Sequence, residues 1–316
     1  MSRTGDDVVR AAAPGSGLDL DFVRLTVLRW LLPLFFTISS ALTLAQFAAH
    51  GFIGIDARLY RQAAAAAISG GNPWAVHADG TAFAGPPPTL MFYLPTALVP
   101  EQLATVLVII VGVVAGVWAV RRLELPLWWL LFPPLFEALI VGNPDALVLA
   151  LLLVRNPLAG LAAGLKIYAL IPLVYQRRWR AVAVAAIVAA CSLPLVALFL
   201  SNLGAVSTVL DEQTADLSAW GSWVLIPTIG ALFVLRRRGA EWLAVPALWP
   251  NTQRHYAALS LPAVKDSPIG AAVMSLGIPL APAVAVMLMA IESWWHARRR
   301  EHVPSTPPIA REAPLA

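Results

Sequence analysis

The chain has 316 residues, of which 59% are hydrophobic and only 13% are charged. Soluble domains usually carry about 25% charged residues, so this composition excludes an ordinary soluble protein and indicates an integral membrane protein. The formal net charge is +4, and most arginines stand in short clusters beside apolar runs, such as Arg121 with Arg122 and Arg236 to Arg238. This is the positive-inside pattern of cytoplasmic loops, and it requires no nucleic-acid partner.

The two ends of the chain are too polar or too rich in proline to form a core. We therefore predict a disordered cytoplasmic N-terminus at residues 1–24, a transmembrane domain at 25–295 and a disordered cytoplasmic tail at 296–316. The first apolar run, 30–49, is longer than the roughly 7–15 residues of a signal-peptide core. It is expected to remain as an uncleaved membrane helix.

Long apolar runs mark the candidate membrane helices, because a spanning helix needs about 20 residues. Other segments are short or interrupted by proline, and such backbone is tolerated at membrane depth only beside protein or a water-filled cavity. The sequence therefore predicts an all-α polytopic bundle of roughly 8–10 membrane segments with an internal site. The long runs are 30–49, 103–120, 125–140, 181–200, 222–235 and 269–291, and the interrupted segments are 88–99, 145–154, 157–175, 241–249 and 256–264.

The basic residues also predict the orientation in the cell membrane. Arg24 and Arg29 precede the first apolar run, which places the N-terminus in the cytoplasm. Residues 50–86 then form a large extracytoplasmic first loop, and residues 250–255 face the same side. The functional site is expected on this outer face.

One acid, Asp56, stands at the start of an alanine-rich helix in the first loop, in the stretch GIDARLYRQAAAAAISGGNPW. Its position suits an N-cap, whose carboxylate accepts a backbone N–H. It suits a general base as well, because a helix N-terminus keeps a carboxylate ionised. Tyr60 lies four residues later and shares the same helix face. The local spacing is compatible with both roles of Asp56.

This loop resembles the first loop of glycosyltransferase family 87. Three later stretches resemble the same family in its order: EALIVGNPDALVLALLL, AGLAAGLKIYALIPLVYQRRWR and WPNTQRHYAALSLPAV. The matching residues of the first loop are Asp56, Tyr60, Ala64, Ala65, Gly71, Asn72, Pro73, Phe83, Pro86 and Pro87.

The resemblance implies a GT-C fold and transfer of a sugar from a polyprenyl phosphate to a glycolipid or glycan acceptor. The family contains mannosyltransferases, so mannose is the expected sugar, with arabinose as the alternative. An inverting displacement needs a base on the acceptor hydroxyl and positive charge at the departing phosphate. The family pattern makes Asp56 that base. The residues expected to bind the substrates or to support the first loop are Tyr60, Asn72, Lys166, Arg254, His255 and Tyr256. Membrane lipids are the other expected partners.

Each of the later candidates also has a structural interpretation. A lysine within an apolar span costs about 2.5–3.5 kcal/mol on insertion scales, so Lys166 is functional, reaches the interface, or pairs with Asp145 or Glu137. His255 and Tyr256 resemble an aromatic-belt anchor as much as a sugar contact. In a further predicted outer loop, 211–223, Trp220 and Trp223 lie near three acids in the sequence and could stack on a sugar or anchor the interface. Those acids are Asp211, Glu212 and Asp216.

No metal or cofactor is expected, because the sequence contains neither a recognised metal-ligand spacing nor a nucleotide-binding fingerprint. Two other functional classes fit the same sequence. A transporter or lipid flippase would also use an intramembrane lysine and broken helices. A catalytically inactive scaffold of an envelope-assembly complex would keep its partners without any transferase chemistry.

Overall fold

The computed structural model describes residues 30–78, 81–204, 206–208 and 217–301, with side chains up to residue 298. It is 75% helical with almost no sheet, which confirms the all-α prediction. The predicted disordered segments at 1–24 and beyond 301 lie outside the described residues. So do the three acids of the outer loop, Asp211, Glu212 and Asp216.

Helices follow one another closely along the described chain. The first eight labelled here are α1 (Leu32–Ala49), α2 (Ile55–Ile68), α3 (Pro87–Tyr93), α4 (Glu101–Arg122), α5 (Pro133–Val141), α6 (Asp145–Leu153), α7 (Leu161–Leu165) and α8 (Leu170–Tyr175). The later ones are α9 (Trp179–Cys191), α10 (Leu193–Ser201), α11 (Leu225–Val234), α12 (Ala240–Leu248), α13 (Leu261–Val264), α14 (Pro268–Met274) and α15 (Ala281–Glu301). The last helix therefore continues past the domain boundary predicted at residue 295.

Short elements connect these helices. Two strands, β1 (His77–Ala78) and β2 (Thr81–Ala82), pair antiparallel, with His77 opposite Ala82 and Ala78 opposite Thr81. The 3₁₀ turns are Pro73–Ala75, Leu94–Leu98, Leu127–Leu131, Pro157–Gly160, Ile167–Ala169 and Arg254–Ser260.

Two helices in the described part of the chain, α1 and α4, are long and apolar enough to cross a membrane. Two bent pairs pass the same test together: α5 with α6, bent by 117°, and α9 with α10, bent by 68°. The candidate spans thus number two, or up to four if each bent pair is one span. This is fewer than the roughly 8–10 segments expected from the apolar runs, because several runs form short or broken helices.

Three of the predicted continuous spans are broken in the structure. The run at 181–200 forms α9 and α10, which are bent by 68° at Ser192. The run at 125–140 forms a 3₁₀ turn followed by α5, because Pro133 and Pro134 have no N–H with which to extend the preceding turn. The run at 269–291 forms α14 and α15, and Leu280, immediately before α15, has a left-handed backbone with φ 64°. Apolar content alone therefore overestimated helix length at all three places.

Packing around the break between α5 and α6 positions the functional site. The start of α2 is tied to the end of α5 by a hydrogen bond from Gly54 N–H to the carbonyl of Ile140, at 2.8 Å. The same α5 packs against the Arg254–Ser260 turn. On its other side, α5 is supported by an aromatic cluster in which the buried rings of Phe36, Trp129 and Phe132 touch one another. Residues from three distant parts of the chain are thereby brought together.

Candidate functional site

A cavity of about 210 Å³ lies where α2, the β1–β2 hairpin and the segments around residues 143, 166 and 253 meet. Four of the residues predicted from the sequence line it: Asp56, Tyr60, Lys166 and Tyr256. Its wall therefore carries a carboxylate, an ammonium group and two phenols contributed by separate segments.

The helix that carries Asp56 begins at Ile55, two residues earlier than an N-cap at Asp56 would require. Gly54 has a left-handed backbone with φ 70° and stands immediately before the first helical residue, Ile55. Asp56 therefore lies inside the first turn of α2, and the N-cap prediction is wrong. Its half-buried carboxylate instead accepts a hydrogen bond from the side-chain amide of Asn143, at 2.7 Å. The position near the helix N-terminus still favours the ionised form of the carboxylate.

The sharp break between α5 and α6 positions the side-chain amide of Asn143 beside Asp56. Gly142 ends α5 with φ 72°, a backbone conformation that residues other than glycine rarely adopt. A Cβ at this position would also lie 2.7 Å from the Cβ of Ala57 on α2. Glycine thus permits both the reversal of the chain and the close approach of α2 to the break.

Asn143 uses its whole amide group in this arrangement. Its oxygen accepts the backbone N–H of Asp145 at 3.1 Å, which fixes the side chain against the start of α6. Its nitrogen donates to Asp56 and lies 3.1 Å from Nε2 of His255. Asn143 is 4% exposed, so this bridge between three segments is shielded from solvent.

His255 is surrounded by carboxylates rather than exposed at the interface. It is 5% exposed, with Nδ1 at 3.5 Å from Glu137 and Nε2 at 3.8 Å from Asp145. It belongs to the Arg254–Ser260 turn, outside the candidate spans. Burial lowers the pKa of His255, but the contact with Glu137 and the negative charges of Asp145 and Asp56 raise it more. The net pKa is above the usual 6.5.

The burial of Asp145 explains why a positive charge on the neighbouring His255 is favourable. It is completely buried, and one carboxylate oxygen accepts a hydrogen bond from the hydroxyl of Tyr168. The other oxygen has no hydrogen-bond partner in the described part of the protein and faces His255. A buried carboxylate without compensation is costly, so a protonated His255 stabilises this cluster.

Lys166 also lines the cavity, and its backbone is extended, with φ −145° and ψ 115°, between α7 and the next 3₁₀ turn. Its ammonium nitrogen lies 5.2 Å from the centroid of the Tyr256 ring, a cation–π contact. Among the described residues no carboxylate lies within 4.0 Å of this nitrogen. The alternative of a close pair with Asp145 or Glu137 is therefore wrong, since both acids have other partners.

Tyr60 is 7% exposed and stacks on Tyr93 with ring centroids 4.5 Å apart. Burial raises its pKa well above 10, an effect that the charge of Lys166 reduces and that of Asp56 reinforces. Tyr60 therefore stays a neutral phenol at physiological pH. It can hydrogen-bond a ligand, but it is unsuited to act as a base.

Comparison with known proteins agrees with the pattern of these residues. A model of glycosyltransferase family 87 matches residues 83–306, more than two thirds of the chain. The chain belongs to glycosyltransferase family 87. The matched range contains Asn143, Lys166 and His255 and begins after Asp56 and Tyr60. No match was found among curated proteins or among solved structures.

In this transferase, Arg254 is directed away from the cavity. Its guanidinium group donates to the carbonyl of Ser275 at 2.9 and 3.1 Å and to the hydroxyls of Thr43 and Ser39 at 3.1 and 2.9 Å. It also lies 3.6 Å from Glu137. These contacts tie the Arg254–Ser260 turn to α1 and to the end of α14, so Arg254 does not line the cavity.

Asn72 is likewise outside the cavity and organises the first loop. Its oxygen accepts the backbone N–H of Trp74 at 3.0 Å, and its nitrogen donates to the side chain of Asn202 at 2.8 Å. The indole of Trp74 in turn donates to the carbonyl of Gly85 at 2.9 Å. The loop is thereby fixed to the end of α10 and to the residues that lead into α3.

The sequence analysis assigned no functional role to four members of the site: Asn143, Glu137, Asp145 and Tyr168. One signal was present, because Gly-Asn-Pro-Asp at 142–145 interrupts an otherwise apolar stretch. Polar groups at such a break need partners. Within the described residues, no group of three or more His, Cys, Asp or Glu side chains is arranged to hold a metal ion.

Proposed function

We propose that this family 87 transferase moves mannose from a polyprenyl-phosphate donor to a glycolipid or glycan acceptor on the extracytoplasmic side of the cell membrane. One observation carries the proposal: a single cavity is lined by both the carboxylate of Asp56 and the ammonium group of Lys166. Displacement at a sugar carbon needs this pair of charges, one to take up a proton and one to stabilise the departing phosphate.

The proposed reaction is a single inverting displacement. The oxygen of the acceptor hydroxyl forms a bond to the anomeric carbon while the bond from that carbon to the phosphate oxygen breaks. The electron pair of the broken bond leaves with the polyprenyl phosphate, whose added negative charge faces Lys166. The hydroxyl proton passes to Asp56, which Asn143 holds in position through its 2.7 Å hydrogen bond.

The remaining cavity residues suit a sugar ligand. Tyr256, Tyr168 and Trp249 line the same cavity, and Tyr168 contacts both other rings at centroid distances of 4.8 and 5.7 Å. Aromatic faces of this kind pack on the apolar faces of sugar rings, while phenol hydroxyls bond their polar edges. Tyr60 and Tyr256 are proposed substrate contacts on this basis.

His255, Arg254 and Asn72 act in this proposal as positioning residues. Arg254 and His255 both contact Glu137, and His255 lies beside the amide that holds Asp56. Asn72 keeps the first loop folded over the cavity through its bonds to Trp74 and Asn202. None of the three needs to touch the substrates in order to matter for catalysis.

We further propose a multi-pass GT-C bundle in which the first loop lies on the extracytoplasmic side of the cell membrane. The arrangement is supported by the order of its elements. The first candidate span, α1, leads directly into the loop that bears Asp56, and Arg121 and Arg122 stand at the far end of α4. The positive-inside rule assigns those arginines to the cytoplasm.

The decisive test replaces the base. Membranes carrying Asp56→Asn are assayed for transfer from radiolabelled polyprenyl-phosphate mannose, and turnover is expected to fall by a factor of about 100 or more. Glu101→Gln is the matched control, because it neutralises another half-buried acid, whose carboxylate accepts from the Gln62 side chain on α2. Unchanged turnover in Asp56→Asn, at equal protein levels, would exclude Asp56 as the base.

A further inference from the structure

A second cavity has four arginines among its eight lining residues. Its volume is about 480 Å³, and it shares no lining residue with the candidate active site. We call it the arginine pocket. It lies between the segment after α6 and the segment before α9, and its lining residues are Arg155, Asn156, Pro157, Arg177, Arg178, Trp179, Arg180 and Ala181.

The walls of the arginine pocket are rigidly joined. Arg178 donates to the carbonyl of Leu152 at 2.7 Å, to that of Val154 and to that of Asn156 at 3.2 Å, which connects the two segments. Nearby, Gly160 packs so closely on α9 that a Cβ there would lie 2.1 Å from the carbonyl oxygen of Ala181. The pocket is therefore already formed without a ligand.

The described residues around the arginine pocket provide no compensating negative charge. Arg155, Arg177 and Arg180 are exposed, and none of them forms an ion pair with a described residue. Among the described residues, no acid lines the pocket, and Arg178 donates its N–H groups to backbone carbonyls. Several guanidinium groups converging on a preformed space, with no carboxylate among them, favour an anion with several acceptor oxygens, such as a phosphate group.

The surroundings of the pocket indicate a phosphate attached to a lipid. Trp179, in the pocket wall, is 60% exposed, as expected of an aromatic side chain at a membrane interface. The adjoining surface is apolar, with Leu158 55% exposed and Ile187, farther along α9, 62% exposed. Helix α9 belongs to one of the bent candidate spans. A headgroup in the pocket would therefore have a lipid-facing surface beside it for its acyl chains.

We propose that the arginine pocket binds the headgroup of an anionic phospholipid in the leaflet on the arginine side, which the positive-inside rule makes cytoplasmic. This site is independent of the proposed mannosyl transfer and lies on the opposite side of the membrane from its substrates. Its occupant would hold the segments around α9 at the interface.

Native mass spectrometry of the purified full chain tests the site. The protein is titrated with phosphatidylglycerol, and Arg155→Gln/Arg180→Gln is compared with Arg121→Gln/Arg122→Gln, which removes two exposed arginines outside the pocket. The pocket variant is expected to bind about 30-fold more weakly, since each arginine near an anionic lipid contributes roughly fivefold. The control is expected to change binding by less than about threefold.

The same titration separates the possible occupants. Repeating it with phosphatidylcholine tests the need for net negative charge, and adding millimolar inorganic phosphate tests for a free-anion site. Retention of phosphatidylglycerol in the presence of phosphate supports the lipid site. Equal losses in the two double variants, no loss in either, or full displacement by phosphate would overturn the proposal.

Discussion

Replacing Asn143 by leucine tests whether the buried amide positions the base. Leucine has a similar shape, but it offers neither the donor that reaches Asp56 at 2.7 Å nor the acceptor for the N–H of Asp145 at 3.1 Å. Lys166, which also lines the cavity, is left unchanged. The substitution therefore separates the orientation of the carboxylate from binding of the donor phosphate.

The expected magnitude follows from the kind of hydrogen bond that is lost. A hydrogen bond to a charged group contributes about 1.5–3 kcal/mol, and each 1.4 kcal/mol corresponds to about a factor of ten in rate. If Asn143 acts mainly by holding Asp56, kcat should fall by a factor of about 10 to 100. The KM for the polyprenyl-phosphate donor should change by less than about threefold, because the bond is not made to the donor.

The assay compares initial rates of mannosyl transfer by Asn143→Leu and by a matched control, Gln62→Leu. Gln62 also donates an amide hydrogen to a carboxylate, that of Glu101 at 3.0 Å, and it lies on the same helix as Asp56 but outside the cavity. Thermal melts in detergent report folding of both variants. Equal kcat values for the two variants, or a kcat loss in Asn143→Leu fully accounted for by unfolded protein, would refute the positioning role.

Three further predictions concern charge, backbone and pH. Lys166→Met should lower kcat/KM for the donor about 100-fold through loss of the cation facing the phosphate, whereas Lys265→Met, outside the cavity, should leave it within about threefold in the same transfer assay. Gly142→Ala should lower the thermal midpoint of unfolding more than Gly221→Ala does. Both glycines have a positive φ, 72° and 73°, but of the two only Gly142 lacks room for a Cβ. Equal shifts in the two variants would contradict this reasoning. The contribution of protonated His255 to the free energy of unfolding should be fully present below about pH 6.5 and be lost as pH rises through the raised pKa of His255. The melting midpoint should therefore decline above that pH, and it should decline less steeply in His255→Gln.

Composition and local pattern were sufficient for the class of the protein and for its family. Apolar runs depend only on neighbouring residues, so they located the candidate spans α1 and α4 within two residues of their observed ends. The order of short motifs identified the family that the comparison confirmed. The i, i+4 spacing of Asp56 and Tyr60 also held, because both side chains line one cavity.

Helix interruptions were harder to place from the same signals. Proline marks where a helix is weakened, but it does not determine whether the chain bends or by how much. The 117° turn between α5 and α6 depends on Gly142 fitting against α2, a contact between segments far apart in the chain. The hydrophobic periodicity within either segment does not predict that contact.

The sequence by itself thus determined a helical membrane glycosyltransferase of family 87 with an acid, a lysine and a histidine among its candidate residues. Only the tertiary structure decided how these residues are used. It turned Arg254 toward Ser275, buried His255 among carboxylates, and replaced the expected cap of Asp56 by the amide of Asn143. The physical reason is that burial and hydrogen-bond partners arise where distant segments pack, whereas propensity and spacing describe only one segment at a time.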